Sequence, residues 1–398
     1  MTRLDVLLNE LCPDGVPFKR LEECCILEKG KTPIQKAIPG EYPLVVTTNE
    51  RKSSNTFQFD QPSVCIPLVS SRGHGVACLN QVYYQEGCFA LGNILCAVTP
   101  LKEGGLSAKF LYYYLNLKKD TLIVPLMKGG ANVSLTVNSL KKVKVAIPPL
   151  LVQDEIVERL QTFEALLDTL SSELSARRKQ YEYYRSELLS FENKVDICEL
   201  KDVAIFKTGS KPDNIKEDAF DGGYEYVNAG TSCSGYVSEA NCSGDVVTTP
   251  SRGQGGIGFV GYQSTPFWLG PLCYRISAKD ATKVKNKYLY YCLANQTEDI
   301  LARKKEGGVP ALNASDLGTI KINIPSLKVQ ERIISVLDNF ETICADLNIG
   351  LPAEIEARQK QYEYYRDLLL TFAESGGTLS TDRQTDRQTD RQTDRQTG

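Results

Sequence analysis

The chain has 398 residues, 42% of them hydrophobic, and a formal net charge of −3, so it exceeds the roughly 250–300 residues of one core and should hold two domains or more. Thirteen cysteines without a C-x-x-C pair and the single histidine, His74, point away from a disulfide frame or a zinc site and toward reduced, buried thiols. No apolar run reaches the ~18–20 residues of a membrane span, and no signal-peptide core follows Met1, so a soluble cytoplasmic protein with no membrane partner is expected.

Residues 1–150 are rich in Gly, Val, Thr and Tyr. Short apolar runs such as Pro43–Val46 and Val143–Ile147 read as strands, and Phe110–Asn116 reads as a helix. Pro148 and Pro149 mark a hinge, because proline turns its predecessor away from helix. From Ile156 an apolar seam runs through Leu160, Phe163, Leu167, Leu170, Leu174, Tyr181, Tyr184, Leu188 and Phe191. These steps of three and four form a heptad pattern, interrupted at Arg177.

Residues 196–325 return to strands and turns, with Tyr288–Asn295 as a helix and Pro325 as the hinge. A second seam follows through Ile333, Leu337, Phe340, Cys344 and Leu347. It breaks at Gly350-Leu351-Pro352 and resumes through Ile355, Tyr362, Tyr365, Leu369 and Phe372. Proline is tolerated in a first helical turn, so the break predicts a kink or a restart. A full helix of either copy would span about 40 residues, or roughly 60 Å. Each half is thus a mixed α/β (α+β) domain followed by a long helix.

The halves are copies. Lys-Gln-Tyr-Glu-Tyr-Tyr-Arg occurs at Lys179–Arg185 and again at Lys360–Arg366. Ile147-Pro148-Pro149-Leu150 with Gln153 answers Ile324-Pro325-Ser326-Leu327 with Gln330. Charge follows the same partition: residues 1–150 carry +5, 151–195 carry −3, 196–325 carry −1 and 326–374 carry −4. A DNA contact therefore belongs on the domains and a protein partner on the acidic helices.

The sharpest candidate site is a pair of loops read as equivalent, Ser71-Arg72-Gly73-His74-Gly75 and Ser251-Arg252-Gly253-Gln254-Gly255. Their glycines allow close approach, and an arginine fork suits a phosphate or a guanine edge. The bland reading is a turn whose arginine caps carbonyls. A second pair, Lys128-Gly129-Gly130-Ala131-Asn132 and Glu306-Gly307-Gly308-Val309-Pro310, reads first as a turn. It also offers Lys128, Asn132 and Asn313 to a DNA backbone. Lys31 in Gly30–Pro33 and Lys211 in Gly209–Pro212 suit phosphate contacts, which add affinity without sequence information. Tyr181 and Tyr184 lie on the seam and should pack. Tyr183, Arg185, Tyr364 and Arg366 lie off it and are expected to face a protein partner.

Catalytic patterns are near misses. Gly253–Gly258 matches G-x-G-x-x-G but does not open a helix. Asp14 with Glu50 mimics a nuclease pair but has no counterpart in the second half. No chemistry, metal or cofactor of the chain's own is expected.

The signature pair, the junction motif and the opening Leu11-Cys12-Pro13-Asp14-Gly15-Val16 make residues 1–374 resemble the specificity subunit of type I restriction–modification enzymes. The resemblance implies two target recognition domains, residues 1–150 and 196–325, each reading half of a split sequence in double-stranded DNA. It implies spacer helices at 151–195 and 326–374 that pair antiparallel in a coiled coil and dock two methyltransferase subunits. Restriction subunits would complete the complex, and S-adenosylmethionine, ATP and Mg²⁺ would serve those partners. The alternative from another class is a duplicated coiled-coil scaffold without DNA recognition.

The tail at 375–398 departs from the family pattern. Thr381-Asp382-Arg383-Gln384 repeats four times without an apolar residue, so it is expected to stay disordered and solvated. ACA-GAC-AGA-CAG encodes that tetrapeptide and is also three copies of ACAG, which suggests slippage that shifts the reading frame.

Overall fold

The computed structural model describes residues 3–72, 75–191, 195–253, 255–305, 307–345 and 350–374. His74, Gln254 and the repeat tail lie outside the described residues. The chain divides into two compact units: residues up to Thr169 together with those from Glu356, and Leu170–Ile355.

The first unit opens with α1 (Arg3–Leu11), which buries Leu4 and Leu8. Then come β1 (Phe18–Arg20), α2 (Leu21–Cys24), β2 (Cys25–Lys29), β3 (Tyr42–Val45), β4 (Lys52–Ser54) and β5 (Ser63–Pro67). They are followed by β6 (Tyr83–Gln85), β7 (Ala90–Leu91), β8 (Leu95–Pro100), α3 (Ala108–Leu122), α4 (Val137–Lys141) and β9 (Lys144–Ala146). Strands β2-β8-β5-β6 form an antiparallel sheet, β4-β3-β7 form a second with β3 and β7 parallel, and β1 pairs with β9. On β5 the side chains alternate between two cores. Val64 and Ile66 join the main one with Val98 and Phe110, while Cys65 packs with Phe89 and Leu91. Helix α3 outruns the expected 110–116, because Leu117, Lys118 and Lys119 are good helix formers and Leu117 and Leu122 pack against the core.

α5 (Leu150–Leu189) is one continuous helix of 40 residues. The second unit repeats the first: β10 (Asp196–Glu199), α6 (Leu200–Val203), β11 (Ala204–Thr208), β12 (Tyr224–Val227), β13 (Tyr236–Val237) and β14 (Val246–Pro250). Next are β15 (Gly261–Gln263), β16 (Trp268–Leu269), β17 (Cys273–Ala278), α7 (Asn286–Asn295), α8 (Thr297–Ala302), α9 (Ala314–Leu317) and β18 (Lys321–Ile324). Its sheets, β11-β17-β14-β15, β13-β12-β16 and β10-β18, match those of the first unit strand for strand.

The second long segment is two helices, α10 (Leu327–Ala345) and α11 (Leu351–Thr371), so Pro352 sits in the first turn of a restarted helix as the break implied. The copies exchange partners. In the first unit α11 runs antiparallel to the start of α5, with Tyr362 and Tyr365 against Phe163 at ring distances of 6.5 and 5.5 Å. In the second unit α10 runs antiparallel to the end of α5. There Phe340 packs on Tyr181 and Tyr184, at 6.3 and 5.7 Å. Leu369, Leu370 and Phe372 thereby complete the core of the first unit, and Leu189 that of the second.

The junction glutamines are the buried bolts of this arrangement. Gln153 Oε1 accepts the Ser107 N–H at 2.8 Å, and its Nε2 donates to the carbonyls of Gly105 and Pro148 at 2.7 and 2.6 Å. Gln330 does the same with Lys285 N–H (2.9 Å) and the carbonyls of Lys283 and Pro325 (both 2.8 Å). Each ties the chain before α3 or α7 to the proline turn that starts a long helix.

Candidate nucleic-acid interface

Both candidate arginines sit on the loop after the central strand of the larger sheet, but not at equivalent places. In the first unit Leu68 N–H donates to Ile94 O (2.8 Å), Leu135 N–H to Leu68 O (2.8 Å) and Ser70 N–H to Val133 O (3.0 Å). In the second unit Ser251 N–H donates to Leu272 O (2.8 Å), Leu312 N–H to Ser251 O (2.8 Å) and Gly253 N–H to Pro310 O (3.2 Å). Leu68-Val69-Ser70 thus stand where Ser251-Arg252-Gly253 stand. The expected equivalence of the two Ser-Arg-Gly loops is corrected: Arg72 lies three positions beyond the place of Arg252. The cause is length, since the β5–β6 connection runs 68–82 and the β14–β15 connection only 251–260. An identical tripeptide slid along an insertion.

The longer loop is closed by its own serines. Ser70 Oγ donates to Val76 O at 2.6 Å and accepts the N–H groups of Arg72 and Cys78, both at 3.2 Å. Ser71 is exposed, and its Oγ accepts the Asn80 N–H at 3.1 Å. Ser251 is buried and holds its loop through the backbone, so it presents no hydroxyl to a ligand. Arg72 and Arg252 are both exposed.

Beside each loop stands a hairpin. Lys128 and Ser134 exchange backbone bonds at 2.8 and 2.9 Å, and Lys305 and Ala311 do so at 2.8 and 3.1 Å. The counterpart of Lys128 is therefore Lys305, and the Gly-Gly match was one residue out of register. Sequence reasoning passed over Lys305, although the basic run Arg303-Lys304-Lys305 was a signal for it. In the first unit the hairpin meets the Arg72 loop, since a Cβ on Gly75 (φ +76°) would sit 2.9 Å from the Gly130 carbonyl. Lys128 and Asn132 are exposed there.

Lys305 is engaged in an ion pair with Asp316 at 3.0 Å, and that bond holds the Asp316 carboxyl below the usual carboxylate range. Asn313 is not a loop-tip residue. It occupies the N-cap position of α9 and donates to Asp316 Oδ2 at 3.2 Å, in the place where Thr136 caps α4 by accepting the Ser139 N–H at 3.1 Å.

Lys31 and Lys211 are exposed beside glycines that are structurally required. A Cβ on Gly30 would run into the Gly92 carbonyl, and one on Gly209 into the Leu269 carbonyl. Asp14 and Glu50 fall in separate turns, one closing α1 and one before β4.

On the helices the signature splits. Tyr183 and Tyr364 are 61% and 53% exposed, each edge-on to the following tyrosine at 5.5 and 5.4 Å. The arginines turn inward, against expectation. Arg185 lies 5.3 Å from the Tyr181 ring and donates to Asn295 Oδ1 at 3.3 Å. Arg366 lies 5.8 Å from the Tyr362 ring and pairs with Asp367 at 2.7 Å. At helical spacing a residue four positions on returns to the same face, which the heptad reading did not apply to these arginines.

Two stretches of the chain, residues 13–177 and 192–357, match the model of the type I restriction modification DNA specificity domain. The chain is 33% identical over 385 residues to an inferred type I restriction enzyme specificity subunit of Haemophilus influenzae, covering 90% of this chain and 96% of that one. It is 32% identical over 303 residues to the specificity subunit of the EcoR124I/EcoR124II type I restriction enzyme of Escherichia coli, covering 69% and 73%. Its fold matches the crystal structure of a type I restriction–modification S subunit from M. genitalium with a TM-score of 0.61 and 19% identity, over 91% of this chain and 96% of that chain.

The chain belongs to the DNA specificity subunits of type I restriction–modification systems. Such subunits recognise DNA sequence and act with methyltransferase and restriction subunits, which hold the catalytic activities. No described helix is long and apolar enough to cross a membrane.

Proposed function

We propose that the two units read the two halves of a split DNA target, one half-site each. The observation that carries this reading is a duplicated frame with unlike loops: every sheet and both glutamine bolts recur, while the connections bearing Arg72 and Arg252 differ in length and position. A conserved frame with divergent tips is what two separate sequence readers require. In the first unit the reading surface is Arg72 with Lys128 and Asn132 of the neighbouring hairpin, and His74 belongs to the same loop. In the second it is Arg252, with Gln254 next in its loop. The lysines Lys31 and Lys211 supply phosphate contacts.

The helices would take two methyltransferase subunits, one at each copy of the signature, through the exposed Tyr183 and Tyr364. Two docking sites follow from two copies of one surface. The partners would supply S-adenosylmethionine-dependent adenine methylation and the ATP- and Mg²⁺-dependent steps. The test is to express the chain with the methyltransferase of its own locus and map methylated adenines across the genome. A motif of two short specific parts separated by a fixed unspecific gap is expected. A continuous motif would overturn the split-target reading.

A further inference from the structure

Resting on that DNA-reading assignment, we propose that the first unit carries a separate groove for one sugar–phosphate backbone of the duplex, beside its half-site, and that the second unit has no equivalent.

The groove lies between residues 31–38, in the β2–β3 connection, and residues 54–58 after β4, and encloses about 570 Å³. Lys31 and Lys36 line it, and no carboxylate does. Both lysines are exposed, and the described structure gives neither ammonium an ion pair or hydrogen bond. The polar remainder is Thr32, Ser54, Asn55, Thr56 and Gln58. Ile38 and Phe57, 64% and 47% exposed, give an apolar flank on which a deoxyribose can rest, and Phe57 is braced by the Tyr42 ring at 4.9 Å.

The walls are fixed. Gln58 Oε1 accepts the Lys31 N–H at 2.9 Å, its Nε2 donates to Lys29 O at 3.0 Å, and Asn55 N–H donates to Ile38 O at 2.9 Å. A preformed polar channel with two unengaged cations and no acid suits a phosphodiester chain.

Its placement ties it to the reading loop. Asn93 N–H donates to Thr32 O at 2.9 Å, and the carbonyl of the next residue, Ile94, accepts the Leu68 N–H at 2.8 Å. One short turn before β8 therefore holds the lysine segment on one side and the root of the Arg72 loop on the other. Adjacent residues thus anchor both segments, which would let one duplex touch the Arg72 loop and the lysine segment together.

The corresponding connection in the second unit, between β11 and β12, does not share this chemistry. It carries Asp213, Glu217, Asp218 and Asp221 against Lys211 and Lys216, and the Lys216 ammonium is already seated 3.9 Å from the Phe220 ring. Phosphate attraction should thus be lopsided, with the first half-site gripped harder.

The experiment uses the full chain assembled with its methyltransferase subunits and the duplex target mapped as above. The double variant Lys31→Gln, Lys36→Gln removes charge from exposed positions without touching a core. It should weaken binding to target and to unrelated duplex alike, on the order of tenfold near 0.15 M salt, and lower the slope of log affinity against log salt by about 1–2. Its preference for the target over unrelated duplex should stay as in the wild type. Uncharged methylphosphonate linkages flanking the half-site read by the first unit should reproduce the loss, and the same linkages flanking the other half-site should cost clearly less. An unchanged salt slope, or equal sensitivity to linkages at both half-sites, would overturn the groove. The DNA-reading assignment fails differently, by Arg72→Ala leaving sequence preference intact.

Discussion

The hydroxyl of Tyr362 donates to Glu164 at 2.9 Å, joining the second copy of the signature to the first long helix. Glu164 also accepts the Tyr113 hydroxyl at 2.6 Å. In the other unit Glu341 accepts Tyr181 at 3.3 Å, Tyr290 at 2.6 Å and Tyr291 at 3.1 Å. Glu164 and Glu341 stand equally far beyond Gln153 and Gln330. The first tyrosine of each signature therefore bonds a glutamate of the opposite copy, which gives that tyrosine's recurrence a structural reason: each copy meets an equivalent glutamate, Glu164 on α5 or Glu341 on α10. Tyr362→Phe should lower the stability of the first unit by about 1.5–3 kcal/mol, the usual worth of a hydrogen bond to a charged group. Hydrogen exchange would check it, with protection falling in α3 and α11 and unchanged in α7 and α10.

These glutamate–tyrosine clusters set a direction for alkaline stability. Burial, reinforced by the neighbouring carboxylate, pushes the Tyr113 and Tyr362 hydroxyls above the ordinary tyrosine range, and Tyr291 likewise beside Asp338 and Glu341. An unfolded tyrosine ionises near pH 10. Below that pH both states are protonated and the contribution is fully present. Above it the unfolded state loses protons first, and stability falls as pH rises toward the folded values. Urea midpoints should therefore decline above about pH 10. The double variant Tyr113→Phe, Tyr362→Phe should show a shallower decline, and an identical one would contradict the assignment.

The glutamine bolts make a sharper stability test. Gln153→Ala strands the buried Pro148 carbonyl together with the half-buried Ser107 N–H and Gly105 carbonyl, at a cost of about 2–4 kcal/mol. Gln330→Ala should cost a similar amount, because the three bonds recur. Thermal unfolding of each variant would measure this, and a loss below about 0.5 kcal/mol in either would show that water replaces the side chain.

Much of this frame was legible in the residues. The seams, the helix restart at Pro352 and the junction glutamines all appear as period and repetition, because core contacts are set by spacing. Loop register was not legible. Ser-Arg-Gly recurs, yet Arg72 and Arg252 occupy different places, since an insertion in a loop leaves no periodicity to reveal it. Backbone pairing decides such cases, as it did for Lys128 and Lys305. The inward turn of Arg185 and Arg366 was hidden for another reason. A charged residue off a heptad seam reads as solvent-facing until an aromatic one turn earlier offers it a surface.

The repeat tail makes its prediction in the gene. If the four Thr-Asp-Arg-Gln copies are encoded by an uninterrupted four-base repeat, slippage by one unit changes the downstream frame, and sequencing single colonies should find tracts of different length. Mixed synonymous codons without a four-base period would rule out frame slippage at the tract.

The unlike loops predict how specificity divides. Arg72→Ala should relax recognition at one half-site, by about 1–3 kcal/mol if the fork pairs with a base edge, and leave the other intact. Arg252→Ala should do the reverse. The two need not cost the same. Arg72 stands out on a longer loop closed by Ser70, and Arg252 is pinned through its backbone at Ala311. Loosening the first loop with Ser70→Ala, which removes the bonds to Val76, Arg72 and Cys78, should therefore weaken the first half-site without removing any group that touches DNA. Methylation mapping of the three variants separates these effects. Relaxation of both half-sites by either arginine variant would mean that the loops do not read separate parts of the target.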